Sequence, residues 1–457
     1  MPAQGIISGR DIPVAKSFLI LLLTALSLAS CSKDNPPIVD NDPLKPWEET
    51  PETPETNTPS FADNDFQLTP TEKKIVSVTN RFAFNLLGKM LETEDANKNM
   101  LISPLSASVA LSMLNNGAAG ATREEILAGL GFADMPAEEV NAYFKKMLAA
   151  MNNTDARVAF ETANSIWIKN NFTVLDSFKN TNMSFYDAEV RNVDLLSSMN
   201  IINEWVAQKT HNTIPQLLDE PLGEMTLMVI LNALYFKAPW TFPFKKEDTK
   251  DETFHNADSS TIKAPTMYIK EQFYYYNYRY LSDGSRFYML DLPYGSQNFK
   301  MKIFLPYEGA SVDSVAQYLS GRMTELNSAV LPRGGLDTVI VKLPRFHVEY
   351  KTELNEQLTA LGMKSMFDIN AANFSLINPA APIYVSRVLQ KTFVEVNEEG
   401  TEASAATEID AVGTFGGEEP GPPPVYEFFV DRPFMFAIVE KKTDCIFFIG
   451  IIRNLSE

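Results

Sequence analysis

The stretch Glu398-Glu399-Gly400-Thr401-Glu402-Ala403-Ser404-Ala405-Ala406-Thr407-Glu408-Ile409-Asp410-Ala411-Val412-Gly413-Thr414-Phe415-Gly416-Gly417 decides how the chain reads. Taken alternately from Thr401, one set is Thr401, Ala403, Ala405, Thr407, Ile409, Ala411 and Gly413, small or apolar throughout. The other set, Glu402, Ser404, Ala406, Glu408, Asp410, Val412 and Thr414, carries every charge. A period of two marks a strand with one buried side. Small side chains would let such a strand enter an already packed space with little overpacking. Three arrangements satisfy the pattern: a permanent sheet strand, a loop inserted conditionally, and a small-residue amphipathic helix, which Ala, Glu and Thr do not exclude. Gly416-Gly417 and the run from Pro420 to Pro424 cannot continue a strand.

Around this ribbon the chain reads as one large domain over 67–457. Lys73 to Leu91, Ser106 to Leu114 and Asn200 to Lys209 have helical patterning, with Ser103 as a cap and Pro104 in the first turn of the second. Strand-like runs occur at Val158–Ile168, Leu227–Phe236, Phe287–Leu292, Lys300–Leu305, Val339–Val348, Ile383–Val396, Phe434–Lys441 and Cys445–Ile452. Helices early and long strands late predict an α+β domain. Ile446 to Ile449 is wholly apolar, as in a strand buried on both faces, and Cys445 beside it reads as a small buried hydrophobe.

Composition narrows the function. The 457 residues carry 39 basic and 58 acidic side chains, a net charge of −19, which argues against a partner held by clustered Lys and Arg such as nucleic acid. Two cysteines and three histidines leave little for a disulfide framework, a metal centre or thiol chemistry, and no cofactor is expected. None of the His-Glu-x-x-His, Gly-x-Ser-x-Gly or phosphate-loop motifs is present. His347 lies in a strand pattern and reads as structural; His211 and His255 fall in polar stretches and read as solvated. Asp291 and Glu349 have no partner at useful spacing. Nothing in the residues points to catalysis, and the expectation is a protein that is not an enzyme.

The N-terminus reads as an export signal over 1–30. Arg10 and Lys16 precede the apolar run Phe18 to Ala29, whose twelve residues cover about 18 Å as helix, short of the ~30 Å bilayer core. Leu28-Ala29-Ser30-Cys31 resembles the bacterial lipobox, which implies cleavage before Cys31 and lipid on its sulfur. Ser32 follows rather than an acid, which in that pattern favours the outer membrane, with surface display as a further possibility. From Cys31, residues to 66 form a Pro-rich acidic tether, with prolines at 36, 37, 43, 46, 51, 54 and 59. Such a chain stays extended and reaches ~110 Å at about 3.3 Å per residue.

The ordered motifs resemble the serpin family, conformational inhibitors of serine proteases, over roughly 73–457. Asn99-Met100-Leu101-Ile102-Ser103-Pro104-Leu105-Ser106, then Gly117 to Phe132, is similar to the family's first signature block. Ala163-Asn164-Ser165-Ile166-Trp167, Asn203-Glu204-Trp205-Val206 and Leu231 to Trp240 resemble later ones. Val396-Asn397-Glu398-Glu399-Gly400-Thr401-Glu402-Ala403 matches the hinge, and Phe428 to Phe436 the C-terminal signature. The resemblance implies three β-sheets, eight or nine helices and an exposed reactive loop. A protease attacks the loop as substrate and forms an acyl-enzyme; the freed strand inserts into the central sheet and distorts the enzyme before deacylation.

The resemblance also assigns residues. Glu398, Gly400, Thr401, Glu402, Ala403 and Ala405 form the hinge, free of the bulky or charged inward residues of non-inhibitory members. Ser103, Ser106 and Asn232 match a sheet-opening cluster, Trp240 and Glu398 lie near the insertion point, and Gln390 stands where many members have His. Family spacing from Gly400 places the scissile bond at Thr414-Phe415, with Phe415-Gly416 and Val412-Gly413 as alternates. The stretch from Gly400 to Pro433 is longer than usual, with the excess assigned to 416–424. These residues suit elastase-like or chymotrypsin-like targets, and papain-like cysteine proteases belong to the same expectation. The expected molecule is a monomeric suicide inhibitor bound to the membrane through its lipid; the alternative is a non-inhibitory binding protein on the same scaffold. Expressed in a lipoprotein-processing host, the chain should take up labelled palmitate and the Cys31→Ala variant should not; label retained by that variant contradicts the anchor.

Overall fold

The computed structural model describes residues 67–278, 286–326, 336–401 and 424–455. The expected signal peptide, Cys31 and the expected tether lie outside the described residues. So do Glu402, Ala403, Ala405, Val412, Gly413, Thr414 and Phe415, and hence the expected exposed loop. Along the chain run α1 (Pro70–Leu91), β1 (Met100–Ile102), α2 (Pro104–Asn115), α3 (Gly120–Leu130), α4 (Ala137–Asn152), β2 (Ala159–Lys169), α5 (Asp176–Tyr186), β3 (Glu189–Val193), α6 (Met199–Lys209) and β4 (Met228–Pro239). Then come β5 (Lys250–His255), β6 (Thr261–Tyr278), β7 (Phe287–Tyr294), β8 (Phe299–Pro306), α7 (Val312–Leu326), β9 (Leu336–Pro344), β10 (Phe346–Glu353) and α8 (Asn355–Ala360). The chain closes with β11 (Leu389–Val396), β12 (Gly400–Thr401), β13 (Val425–Phe429), β14 (Phe434–Glu440) and β15 (Ile446–Ile452). Among the described residues, no helix is long and apolar enough to cross a membrane.

The strands form three sheets. One has nine strands in the order β1-β15-β14-β8-β7-β6-β9-β13, with β5 also on β6; the second is β12-β4-β2-β3; the third is the antiparallel pair β10-β11. Every residue of β14 and β15 is buried, as their apolar runs predict. Cys445 is free and fully buried. Helix α1 starts at a reciprocal Thr69–Glu72 cap with proline in its first turn. Helix α2 starts where expected, on the Ser103 cap, and buries most of its length. Its serines and alanines permit that close packing.

Two expected strands are divided or shortened. The run Val339–Val348 is two strands, β9 and β10, parted after Pro344 at exposed Arg345. Proline cannot donate to a ladder, and the break puts β9 and β10 in different sheets. The run from Ile383 becomes a strand only at Leu389.

Several charged residues also read differently in the fold. Asp291, expected to lack a partner, is buried between Lys300 and Lys302, each at 3.1 Å. Burial opposes its charge, but the two lysines prevail and hold its carboxyl below the usual range. Glu349 pairs with Lys391 across β10 and β11 at 2.5 Å. His347 lies on β10 but faces solvent, so it is not a core residue. His211 and His255 are exposed, and His211 also meets Glu161 at 3.1 Å.

Gly450 marks the tightest packing on β15. A Cβ there would lie 2.7 Å from Phe436 Cε1 and 3.0 Å from the Met100 carbonyl. Gly450→Ala should destabilise the domain by about 1–3 kcal/mol in a denaturant melt, the usual cost of overpacking; an unchanged midpoint contradicts this.

Candidate functional site: a slot in the central sheet

The chain leaves β11 in a two-residue hairpin, Asn397-Glu398-Glu399-Gly400, closed by the Asn397 amide on the Gly400 carbonyl at 3.0 Å and the reverse bond at 3.2 Å. The strand that follows, β12, runs back beside β4, with Gly400 opposite Pro239 and Thr401 opposite Ala238. A glycine is required at the first position. Gly400 has φ of +141°, and a Cβ would come within 2.2 Å of the Ala238 carbonyl oxygen. Thr401 turns inward, 2% exposed, its hydroxyl 2.7 Å from that of Tyr294. This is the inward side that the alternating pattern assigns to it. The start of the ribbon is thus already a sheet strand, and the rest of it lies outside the described residues.

The hairpin is clamped from one side. The Trp240 amide donates to the Glu399 carbonyl at 2.9 Å, its indole Nε1–H to the Asn397 carbonyl at 2.9 Å, and the Phe244 amide to the Glu398 carbonyl at 3.0 Å. Trp240 stacks on Tyr294 with ring centroids 4.3 Å apart. Lys246 pairs with Glu399. Glu398, 2% exposed, accepts two bonds from Arg345 Nε at 2.9 Å, one from Nη2 at 2.6 Å and one from the Thr249 hydroxyl at 2.5 Å. Burial alone would raise its carboxyl pKa. The Arg345 and Thr249 bonds outweigh that and hold it below the usual range.

Beyond Thr401, β4 and β11 face each other without pairing among the described residues: β4 is bonded to β2 and β12, β11 to β10. The empty space along them is uneven. Near the hinge, Leu234, Phe236, Phe393, Val394 and Thr401 leave a gap of only about 10 Å³. Farther along it widens into a cavity of about 590 Å³ between Met228–Ala233 and Val388–Lys391, floored by α2 through Ala107, Ala110, Leu111 and Leu114.

Of the expected sheet-opening residues, Ser106, Asn232 and Gln390 line this cavity while Ser103 and Trp240 do not, and they do not form one bonded cluster. The Ser103 amide donates to Gln390 Oε1 at 3.0 Å, and Gln390 Nε2 donates back to the Ser103 carbonyl at 2.8 Å. Ser103 Oγ accepts the Ser106 amide at 3.3 Å. Asn232 belongs to the opposite wall, where its Nδ2 donates to Asn164 Oδ1 at 2.7 Å; its own Oδ1 is buried without a partner among the described residues. Gln390 spends both ends of its amide on Ser103, so each wall is tied to itself and not across the slot.

Arg345, Thr249 and Tyr294 were not singled out by sequence reasoning. Pro344-Arg345, which interrupts an apolar run, was the signal for the first; nothing local marks the other two.

With this geometry, the matches to known proteins have a structural meaning. Residues 77–455 match the profile of the family described as Serpin (serine protease inhibitor). The chain belongs to the serpin family. Serpins are inhibitors of proteases and not enzymes, and their fold has the three sheets found here. This serpin is 33% identical over 392 residues to "Serine protease inhibitor" of Cyanea capillata, covering 83% of this chain and 98% of that one. The native-state crystal structure of the thermophilic serpin Tengpin matches it with a TM-score of 0.72 at 28% identity, over 87% of this chain and 97% of that one. Human thyroxine-binding globulin, solved in complex with thyroxine, matches with a TM-score of 0.73 at 28% identity, over 85% of this chain and all of the other.

The Glu398 clamp has a pH signature. Its pKa is lowered on folding, so the stability it adds is present above the ordinary carboxylate pKa of about 4.5 and is lost as pH falls through the depressed folded value. Glu398→Gln should cost about 1–3 kcal/mol at pH 7, and the difference from wild type in melts should shrink as pH drops below about 4.5. A difference independent of pH contradicts the charged clamp.

Proposed function

We propose that this serpin traps proteases by offering its loop as substrate and then taking the cleaved strand into the slot between β4 and β11. The register of Gly400 and Thr401 on β4 carries the proposal. Continued in the same register after cleavage, Ala403 passes Phe236 and Ala405 passes Leu234, the residues that leave almost no room beside the hinge. Thr407 then meets Asn232, whose Oδ1 is short of a donor, and Ile409 and Ala411 meet Ile230 and Met228 in the wide part. Only alanines fall where the gap is narrow, and Ile409, the largest inward side chain, falls where it is wide. Glu402 falls opposite Lys237, an attractive cross-strand pair.

The energy source is the pair of unbonded edges. Each new ladder bond is worth ~1 kcal/mol net, so a dozen residues release on the order of 10 kcal/mol before side-chain burial is counted. Arrival of this strand while the protease is still acylated would drag the enzyme and spoil its geometry. We assign the bond to Thr414-Phe415, with Phe415-Gly416 and Val412-Gly413 next, and the targets to elastase-like, chymotrypsin-like or papain-like proteases. We place the inhibitor at the outer membrane on the Cys31 lipid, held off the surface by the tether.

Incubation with a panel of such proteases should give an SDS-stable complex one protease larger than the loop-cleaved chain, and free cleaved protein should melt well above intact. Thr401→Arg puts a charge into the buried position beside Tyr294 and should turn the inhibitor into a substrate, cleaved at the same rate with at least ten times less complex, a difference of about 1.4 kcal/mol. Turnover of wild type without complex, and with no rise in melting temperature, contradicts the mechanism.

A further inference from the structure

A line of buried amides leaves the slot and runs through the helices behind it. Asn232 on β4 is held by Asn164 on β2, and Asn164 Nδ2 donates to the Tyr186 carbonyl at 2.7 Å, at the end of α5. The Tyr186 hydroxyl donates to Asn141 Oδ1 on α4 at 2.6 Å. Asn141 Nδ2 donates to Asn116 Oδ1 at 2.9 Å, on the residue that caps α2, and Asn116 Nδ2 donates to Asn182 Oδ1 on α5 at 3.0 Å. Asn182 Nδ2 returns to the Met113 carbonyl of α2 at 3.3 Å. Asn164, Asn182, Tyr186 and Asn141 are all under 9% exposed. The line starts at one wall of the slot, β4, and ends at its floor, α2.

This network is not what apolar packing alone would select. The surrounding α4 and α5 residues Tyr143, Phe144, Met147 and Phe178 are large and buried, and more of the same would fill the space. Buried hydrogen bonds are directional, and a broken link leaves orphaned groups in a low-dielectric interior, so a satisfied network allows one geometry where apolar contact allows several. Burial also raises the Tyr186 hydroxyl pKa, keeping it a donor at all relevant pH.

We propose that Tyr186, Asn141 and Asn116 are positioning residues that fix the β2–β4 wall relative to α2, and so set how fast the slot accepts the cleaved strand. The inference rests on the strand-docking reading above, in which trapping is a race between docking and deacylation. Loosening the wall slows docking but leaves the loop, and therefore the first cleavage, untouched. The effect appears as a branching ratio: chains cleaved and released for each protease trapped.

The test uses the full-length chain with a protease that wild type traps. Tyr186→Phe removes the hydroxyl and keeps the ring; it should raise the ratio of cleaved to trapped about fivefold, or about 1 kcal/mol in the race, with the rate of first cleavage unchanged. Asn116→Ala, at the half-buried end of the line, should act in the same direction and serves if Tyr186→Phe does not fold. Val140→Ala on α4, beside Asn141, lowers stability without removing any group of the network, and its ratio should stay at the wild-type value. A wild-type ratio in both Tyr186→Phe and Asn116→Ala, or an equal rise in Val140→Ala, overturns the positioning role while leaving strand docking intact. Failure of wild type to trap any protease on the panel overturns the docking reading itself, and the positioning role with it.

Discussion

Two strand edges that face each other unbonded are the constraint on which the molecule depends. Backbone N–H and C=O groups are obligatory hydrogen-bonding groups, and a sheet leaves them open only at a cost. Here β4 and β11 each pair on one side, while between them lies a gap that pinches near the hinge and opens over α2. Each wall is stabilised from behind, Gln390 stitching β11 to the start of α2 and Asn164 holding Asn232 of β4. The fold thereby maintains an opening, the one into which we propose the cleaved strand docks.

In the proposed mechanism the hinge is where insertion begins. Trp240, Phe244, Arg345, Thr249 and Lys246 hold the hairpin in place at the top of the slot, and Gly400 and Thr401 are seated on β4. In the proposed mechanism the clamp fixes the position and register from which insertion would start, so a freed strand would have no register to search for. Shape supplies the rest. In the proposed register a narrow gap lined by Phe236 and Leu234 would admit alanine and reject bulk, which gives Ala403 and Ala405 a physical reason.

Much of this was legible in the sequence because it depends on local signals. The Ser103-Pro104 cap placed α2, the apolar runs placed β14 and β15, and the alternation beginning at Thr401 assigned its inward side. The slot was not legible, because it is a missing pairing between segments some 160 positions apart. The β6 strand was missed as well: it spans eighteen residues, contains Pro265, and serves β5 at its start, β9 along its middle and β7 at its end, so no single alternation runs through it. Asp291 looked partnerless because its two lysines come from the neighbouring strand, and Arg345 looked like part of a strand because the break before it is one proline.

Hydrogen exchange at the slot edges tests the account most directly. Amides of 228–237 and 389–396 that point into the slot should exchange rapidly in the intact protein and become strongly protected once the loop is cut, while those bonded to β2 and β10 stay protected throughout. Edge amides already protected before cleavage, or still exchanging after it, would contradict an opening that waits for its own strand.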